Sequence, residues 1–231
     1  MTIQGTINET CDCPFCSKNN FYIKKKYFPE HIHESFILYQ TPNFIVVPDI
    51  APIVEGHLLI ISKKHYPCYG KLEQNYFHEL IELKEKISKF LARHYQNPLF
   101  FEHGPAVSKH AGCCIDHAHL HCLPINIDLT SSIYHKLHKI RINSIEEICK
   151  YSVQNISYLY YETNKKDKFI YPLSGDFSVL PSQYLRKVIA SKLNLPQWNW
   201  RDIISDPSYQ DSKLKQVINI VKYFEHDSMA T

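Results

Sequence analysis

Three histidines stand at alternate positions in one short segment: His117, His119 and His121, with Ala118, Leu120 and Cys122 in register between and after them. A β-strand turns successive side chains to opposite faces, so positions i, i+2 and i+4 share one face. Imidazole changes charge near neutral pH, acts as nucleophile or acid–base group, and binds metals. The alternation leaves three chemistries open. One ring attacks phosphorus and forms a covalent intermediate while its neighbours orient it; all three bind one catalytic metal; or the three are structural. The small and apolar residues between them predict that the other face of this strand lies on the core.

Further residues of ligand type lie upstream. Cys13-Pro-Phe-Cys16 has the spacing of half a tetrahedral zinc site. Asp49, His57 and His65 punctuate a proline- and glycine-containing turn and the strand that follows it. Glu102 ends the apolar run LFFE, and Gly112, Cys113 and Cys114 precede the histidine strand. The glycine and its adjacent backbone amides are of the kind that cradle phosphate oxygens. His103, His110, His135 and His138 are expected in loops or on the surface.

These residues need elements to hold them. Residues 35–40, 43–47 and 57–62 read as strands. Leu72, Tyr76, Leu80, Leu83, Ile87 and Leu91 recur at three- and four-residue steps and predict a helix from about Glu73 to Tyr95. Strands follow at 99–102 and 115–123. Strand, strand, strand, helix, strand, strand is the order of an antiparallel sheet carrying a helix, an α+β domain. After Pro124 the pattern changes. Ser144 and Glu147 form a capping box, Tyr158–Glu162 and Lys168–Leu173 a hairpin, and two further helices run from Pro181 and through Leu214–Phe224. The gap at 125–143 is the expected boundary, dividing the chain into 1–125 and a folded extension, 126–231.

The chain as a whole narrows the setting. Its 231 residues, with a formal net charge of +3, bury a substantial core and demand neither a nucleic-acid nor a membrane partner. No apolar run approaches a membrane span, and the polar first residues lack the plan of a secretory signal. The eight cysteines are therefore expected to be reduced thiols in a cytoplasmic protein, some of them on metal.

The Gly56-His57 strand, the Lys63-Lys64-His65 run, a helix, a glycine loop and His117-Ala-His119-Leu-His121 follow one another in an order that resembles the histidine-triad (HIT) family of nucleotide hydrolases and transferases, over roughly residues 11–125. The resemblance implies a HIT-like antiparallel sheet with a long helix and a nucleotide substrate cleaved at its α-phosphate, a phosphoramidate or dinucleoside polyphosphate. It makes His119 the nucleophile, His121 the residue that meets the scissile phosphate and helps protonate the leaving group, and His57 their support. Asp49 would hold the ribose hydroxyls. Cys13, Cys16, His65 and His117 match the ligands of a structural zinc, one per chain. Where many members carry an asparagine and small polar residues, this chain has Glu102, Cys113 and Cys114, so Glu102, Gly112 and Cys114 are placed against the substrate.

Pro181–Asp202 resembles the region that follows a HIT-like domain in CwfJ-type proteins. Gln183 and Arg186 sit near a helix start within reach of a substrate. The simpler expectation is that Tyr184, Trp198 and Trp200 pack the mixed α/β extension on the sheet, with Arg186 paired to a carboxylate. Compact relatives form homodimers, an interface the extension could replace. Two rivals remain at this point. One is a nucleotide- or RNA-binding module with little catalysis, favoured by the basic run His135–Arg141; the other is a three-histidine metalloenzyme.

Overall fold

The computed structural model describes residues 13–16, 36–106, 111–174 and 180–229. The polar first residues, the start of the first expected strand at Ser35, and His110 lie outside them. In chain order the strands are β1 (Tyr39–Gln40), β2 (Phe44–Pro48), β3 (Leu58–Ser62), β4 (Leu99–Gly104), β5 (His119–Leu123), β6 (Ile140–Ile142), β7 (Ser157–Glu162) and β8 (Lys168–Leu173). The helices are α1 (Tyr76–His94), α2 (Cys149–Val153), α3 (Tyr184–Lys192), α4 (Trp200–Ser205) and α5 (Lys215–Met229). All eight strands form one antiparallel sheet, ordered β1-β2-β3-β5-β4-β7-β8-β6. The α+β architecture read from the sequence is the one found.

Pleating explains which residues go where. On one face Val46, Leu58, Ile60, Phe100, Ala118, Leu120 and Cys122 meet Phe77, Leu80, Leu83, Ile87 and Leu91 of α1. These positions carry the helical period seen in the sequence, although the helix starts at Tyr76 rather than Glu73. The residues between the histidines thus do lie on the core. On the opposite face Leu99, Phe101, Leu123, Leu159 and Tyr161 meet Leu185 and Ile189 of α3.

The extension does more than pack on the sheet. Its hairpin forms where the sequence places it, and β7 then pairs with β4, from Phe100 opposite Glu162 to Gly104 opposite Tyr158. The boundary expected at 125/126 therefore falls inside one continuous sheet, and the β4 edge is taken by the chain itself. Gly104 permits the pairing, because a Cβ there would come within 2.1 Å of the Tyr158 ring. Lys84 of α1 reaches through the core to Glu162 of β7 at 2.5 Å, with both side chains buried. A buried pair of this kind is strongly destabilised when one partner is removed, so it fixes the hairpin's register. The capping box closes as expected: Ser144 Oγ accepts from Glu146 N, and Glu147 Oε1 accepts from Ser144 N.

Candidate active site

The regular part of the histidine strand begins at His119, not at Ile115. His117 precedes it and meets the cysteine turn, whereas His119 and His121 both line one pocket. The three share the side of the sheet opposite α1, as the alternation predicts, with Phe15 touching both His117 and His119 and the rings of His119 and His121 5.0 Å apart, but their donor atoms do not gather at one point. His117 belongs to one cluster of potential ligands, His121 to another, and His119 to neither.

His117 turns toward the Cys13–Cys16 turn. Its Nδ1 lies 3.4 Å from the Sγ of Cys13 and 3.4 Å from that of Cys16, and Cys16 Sγ lies 2.9 Å from His65 Nδ1. The four donor atoms all fall within 4.8 Å of one another. Separations of this size suit two sulfurs and two nitrogens around one ion at tetrahedral bond lengths. The His117 ring is committed on its other side, with Nε2 2.7 Å from the Ser62 carbonyl. That bond requires Nε2–H and leaves the Nδ1 lone pair toward the cysteines, the usual way an outer hydrogen bond fixes a ligand's tautomer. Burial holds the His117 imidazole down to about 4, so it is neutral.

His119 has the complementary arrangement. Its Nδ1 donates to the His117 carbonyl at 2.5 Å, which directs the lone pair of Nε2 into a pocket. Burial, the first cause, holds this imidazole below its ordinary range, although the His117 carbonyl and Asp49 act against it. His121 is fixed by two neighbours. Phe101, its cross-strand partner, stacks on the ring at 4.3 Å and 10°. His57 Nε2 lies 2.9 Å from His121 Nδ1, while His57 Nδ1 accepts from Ile53 N at 3.3 Å. Since Ile53 N–H can only donate, His57 carries its proton on Nε2 and gives it to His121 Nδ1. His121 therefore holds its own proton on Nε2. Burial pushes His57 down to about 3 and His121 well below the ordinary range, so both rings are neutral.

The pocket around His119 and His121 is built from both halves of the chain. Asp49, Gly112 and Cys114 line it, and so does Phe15 from the cysteine turn, whose ring meets the edge of His119 at 5.4 Å. Gly112 has φ +67, and a Cβ there would sit 2.6 Å from the Pro181 carbonyl, so the loop requires glycine. Gln183, Arg186 and Trp200 complete the wall from the extension. Gln183 N donates to the Gly112 carbonyl at 2.6 Å, and Trp200 Nε1 to Cys114 Sγ at 3.3 Å. Arg186 pairs with a carboxylate, as expected, but the carboxylate is Asp49 in the pocket, at 2.8 Å.

Two residues depart from the sequence reading. Glu102 does not reach the pocket. It points to the α1 face of the sheet, where it accepts from Tyr69 N at 2.6 Å and from Tyr158 Oη at 2.8 Å, and burial raises its carboxyl to about 8. Its place among the substrate-binding residues is withdrawn for a reason of parity: one step along β4 changes face. The next residue, His103, is correspondingly neither loop nor surface. It lies buried in β4 beside the pocket, accepts from Leu185 N at the start of α3 at 3.0 Å, and burial takes it down to about 3. The period-two extension of the LFFE strand by two residues was the signal for it. His135 and His138 are exposed, as expected.

Among the described residues no helix is long and apolar enough to cross a membrane. Residues 31–126 match the family model of the HIT domain. The chain is 27% identical over 128 residues to a bis(5'-adenosyl)-triphosphatase of Dictyostelium discoideum, covering 54% of this chain and 85% of that protein. It is 28% identical over 129 residues to an adenosine 5'-monophosphoramidase, HNT1, of Candida albicans, covering 50% and 84%. Among solved structures, a hypothetical histidine triad nucleotide-binding protein of Sulfolobus tokodaii is 22% identical with a TM-score of 0.38, covering 62% of this chain and 93% of that one. Residues 31–126 thus carry a HIT domain.

Proposed function

We propose that this chain hydrolyses or transfers a nucleoside monophosphate group, cleaving at the α-phosphate of a nucleoside phosphoramidate or dinucleoside polyphosphate. The observation that carries the reading is the tautomer of His119: Nδ1 is tied to the His117 carbonyl and the Nε2 lone pair faces the pocket. A neutral imidazole so held is a prepared nucleophile. Nε2 forms a bond to phosphorus as the bond from phosphorus to the departing nitrogen or oxygen breaks. His121, carrying its proton on Nε2 beside it, donates a hydrogen bond to the departing atom or a phosphoryl oxygen, and the departing atom takes up a proton from solvent as it leaves. Water, or another acceptor, then attacks phosphorus and releases the nucleotide from His119. The names of the two enzymatic relatives support a substrate with an adenosine 5'-phosphoryl group.

Zinc fits the four donors of Cys13, Cys16, His65 and His117. Two thiolates and two imidazoles fill a tetrahedral shell, so the ion's contribution is to the fold rather than to bond cleavage. It would anchor the turn that brings Phe15 to the pocket wall. A cytoplasmic location belongs to this reading, because reduced thiols serve a zinc site.

His119→Ala, assayed with adenosine 5'-phosphoramidate and diadenosine polyphosphates, is expected to lose at least ~10³-fold in kcat. Mass measurement of acid-free quenched protein should find a nucleotide adduct on His119 in the parent chain. Retained turnover of a true substrate in the alanine variant overturns the nucleophile.

A further inference from the structure

One oxygen of Asp49 stands among three side-chain nitrogens. Its Oδ2 lies 2.8 Å from Arg186 Nη1, 3.5 Å from His57 Nε2 and 3.8 Å from His121 Nδ1. The other oxygen, Oδ1, is taken by Ala51 N at 2.8 Å. The His57 Nε2 proton therefore has two acceptors in range, Asp49 Oδ2 and His121 Nδ1, and can serve only one of them well. If it went to the carboxylate, His121 Nδ1 would lose its donor and nothing would fix which nitrogen of His121 carries the proton.

Arg186 is built to decide this competition. It comes from α3 in the extension, is 3% exposed, and uses its whole fork: Nε donates to the Trp198 carbonyl at 3.1 Å, Nη1 to Asp49, and Nη2 to the Ala51 carbonyl at 2.6 Å. A planar guanidinium held at three points is a fixed charge with fixed direction. The helix that carries it is itself pinned to the sheet, since Leu185 N donates to His103 Nε2.

We propose that Arg186 is a positioning residue of the pocket: by engaging Asp49 Oδ2 it leaves the His57 Nε2 proton for His121 Nδ1, and so selects the form of His121 that presents Nε2–H to the substrate. The inference deepens the nucleotidyl-transfer reading and rests on it for the role of His121, but the proton arrangement stands on its own geometry. It also gives the extension a chemical task in the HIT-domain site. The charged and titratable groups facing the His57–His121 pair come from every surrounding element. They are Asp49 after β2, His103 on β4, His119 on β5, Arg186 on α3 and Lys213 ahead of α5, whose ammonium donates to the Ile53 carbonyl at 3.3 Å. Asp49 favours a proton on His57; Arg186 opposes one on both rings, and Lys213 on His57.

The test is nitrogen-15 NMR of histidine-labelled, ligand-free full chain, in which Nδ1–H, Nε2–H and imidazolium forms have distinct shifts. In the parent chain His121 is expected in the Nε2–H form throughout pH 5–8. In Arg186→Gln the protonation midpoint of the His57–His121 pair should rise by at least one pH unit, with the pure Nε2–H signature of His121 lost at pH 6. The double variant Arg186→Gln/Asp49→Asn, which removes both charges, should return the midpoint to within half a unit of the parent. An unchanged midpoint in the single variant overturns the proposal, as does a double variant as shifted as the single. If the glutamine variant does not fold, Arg186→Lys decides. A lysine cannot reach three acceptors at once, so the midpoint should rise by at least half a unit, and a folded lysine variant with the parent midpoint refutes the assignment. None of these readouts needs turnover, so failure of the nucleophile assignment at His119 would be seen separately.

Discussion

His117 and His119 are two residues apart, and the clusters around them differ in almost every physical respect. The cluster at His117 joins thiols and imidazoles that converge on one point, and Ser62 holds the ring so that its lone pair faces the others. The cluster around His119 and His121 points its rings outward into a pocket, and hydrogen bonds between the rings and to backbone occupy the inward nitrogens. Convergent lone pairs suit a metal; nitrogens turned out into a pocket, a lone pair at His119 and an N–H at His121, suit a substrate. The same residue type serves both, and the choice is made by what each ring's second nitrogen touches.

The comparison is broken most forcefully at the metal end. If the proposed site holds zinc, Cys13→Ser/Cys16→Ser should abolish the expected one zinc per chain and lower Tm by more than ~10 °C, taking about 2–4 °C per kcal/mol for a chain of this size. Elemental analysis and calorimetry check both; unchanged zinc content rejects the ligand set. His119→Ala should do the reverse, removing turnover while zinc content and Tm stay near those of the parent.

Acid sharpens the difference further. His57 and His103 are buried neutral at about 3, while in the unfolded chain each takes a proton near 6.5. The unfolded state thus binds more protons between those values, and stability falls as pH drops from 6.5 toward 3. Each group contributes at most ~1.4 kcal/mol per pH unit. His103→Phe should flatten that acid slope in urea titrations run from pH 7 to pH 4, and an unaltered slope would show that His103 ionises freely in the folded chain.

The smallest effect is expected at Glu102, on the far side of the sheet. With its carboxyl raised to about 8 it is protonated in the folded chain at neutral pH, and it costs stability as pH climbs from about 4.5 through 8. Glu102→Gln should gain stability relative to the parent as pH rises over that range while kcat/KM stays within ~3-fold. A loss of kcat/KM well beyond that would return Glu102 to the pocket.

The sequence by itself determined the local facts. Period two around the histidines placed Ala118, Leu120 and Cys122 on the core, period three to four gave α1, and Ser144 with Glu147 gave a cap, because these depend on neighbours within a few residues. The order of motifs also sufficed to find the HIT domain of residues 31–126 and to group Cys13, Cys16, His65 and His117. What only the tertiary structure decided was which partner each of these groups meets across long stretches of chain. The end of regular strand before His117, the turning of Glu102 away and His103 inward, the docking of β7 on β4, and the arrival of Arg186 at Asp49, 137 positions away, are all of this kind. Pairing of distant surfaces is settled by total burial and by the matching of buried charges and hydrogen bonds, and no window of sequence contains both sides of that match.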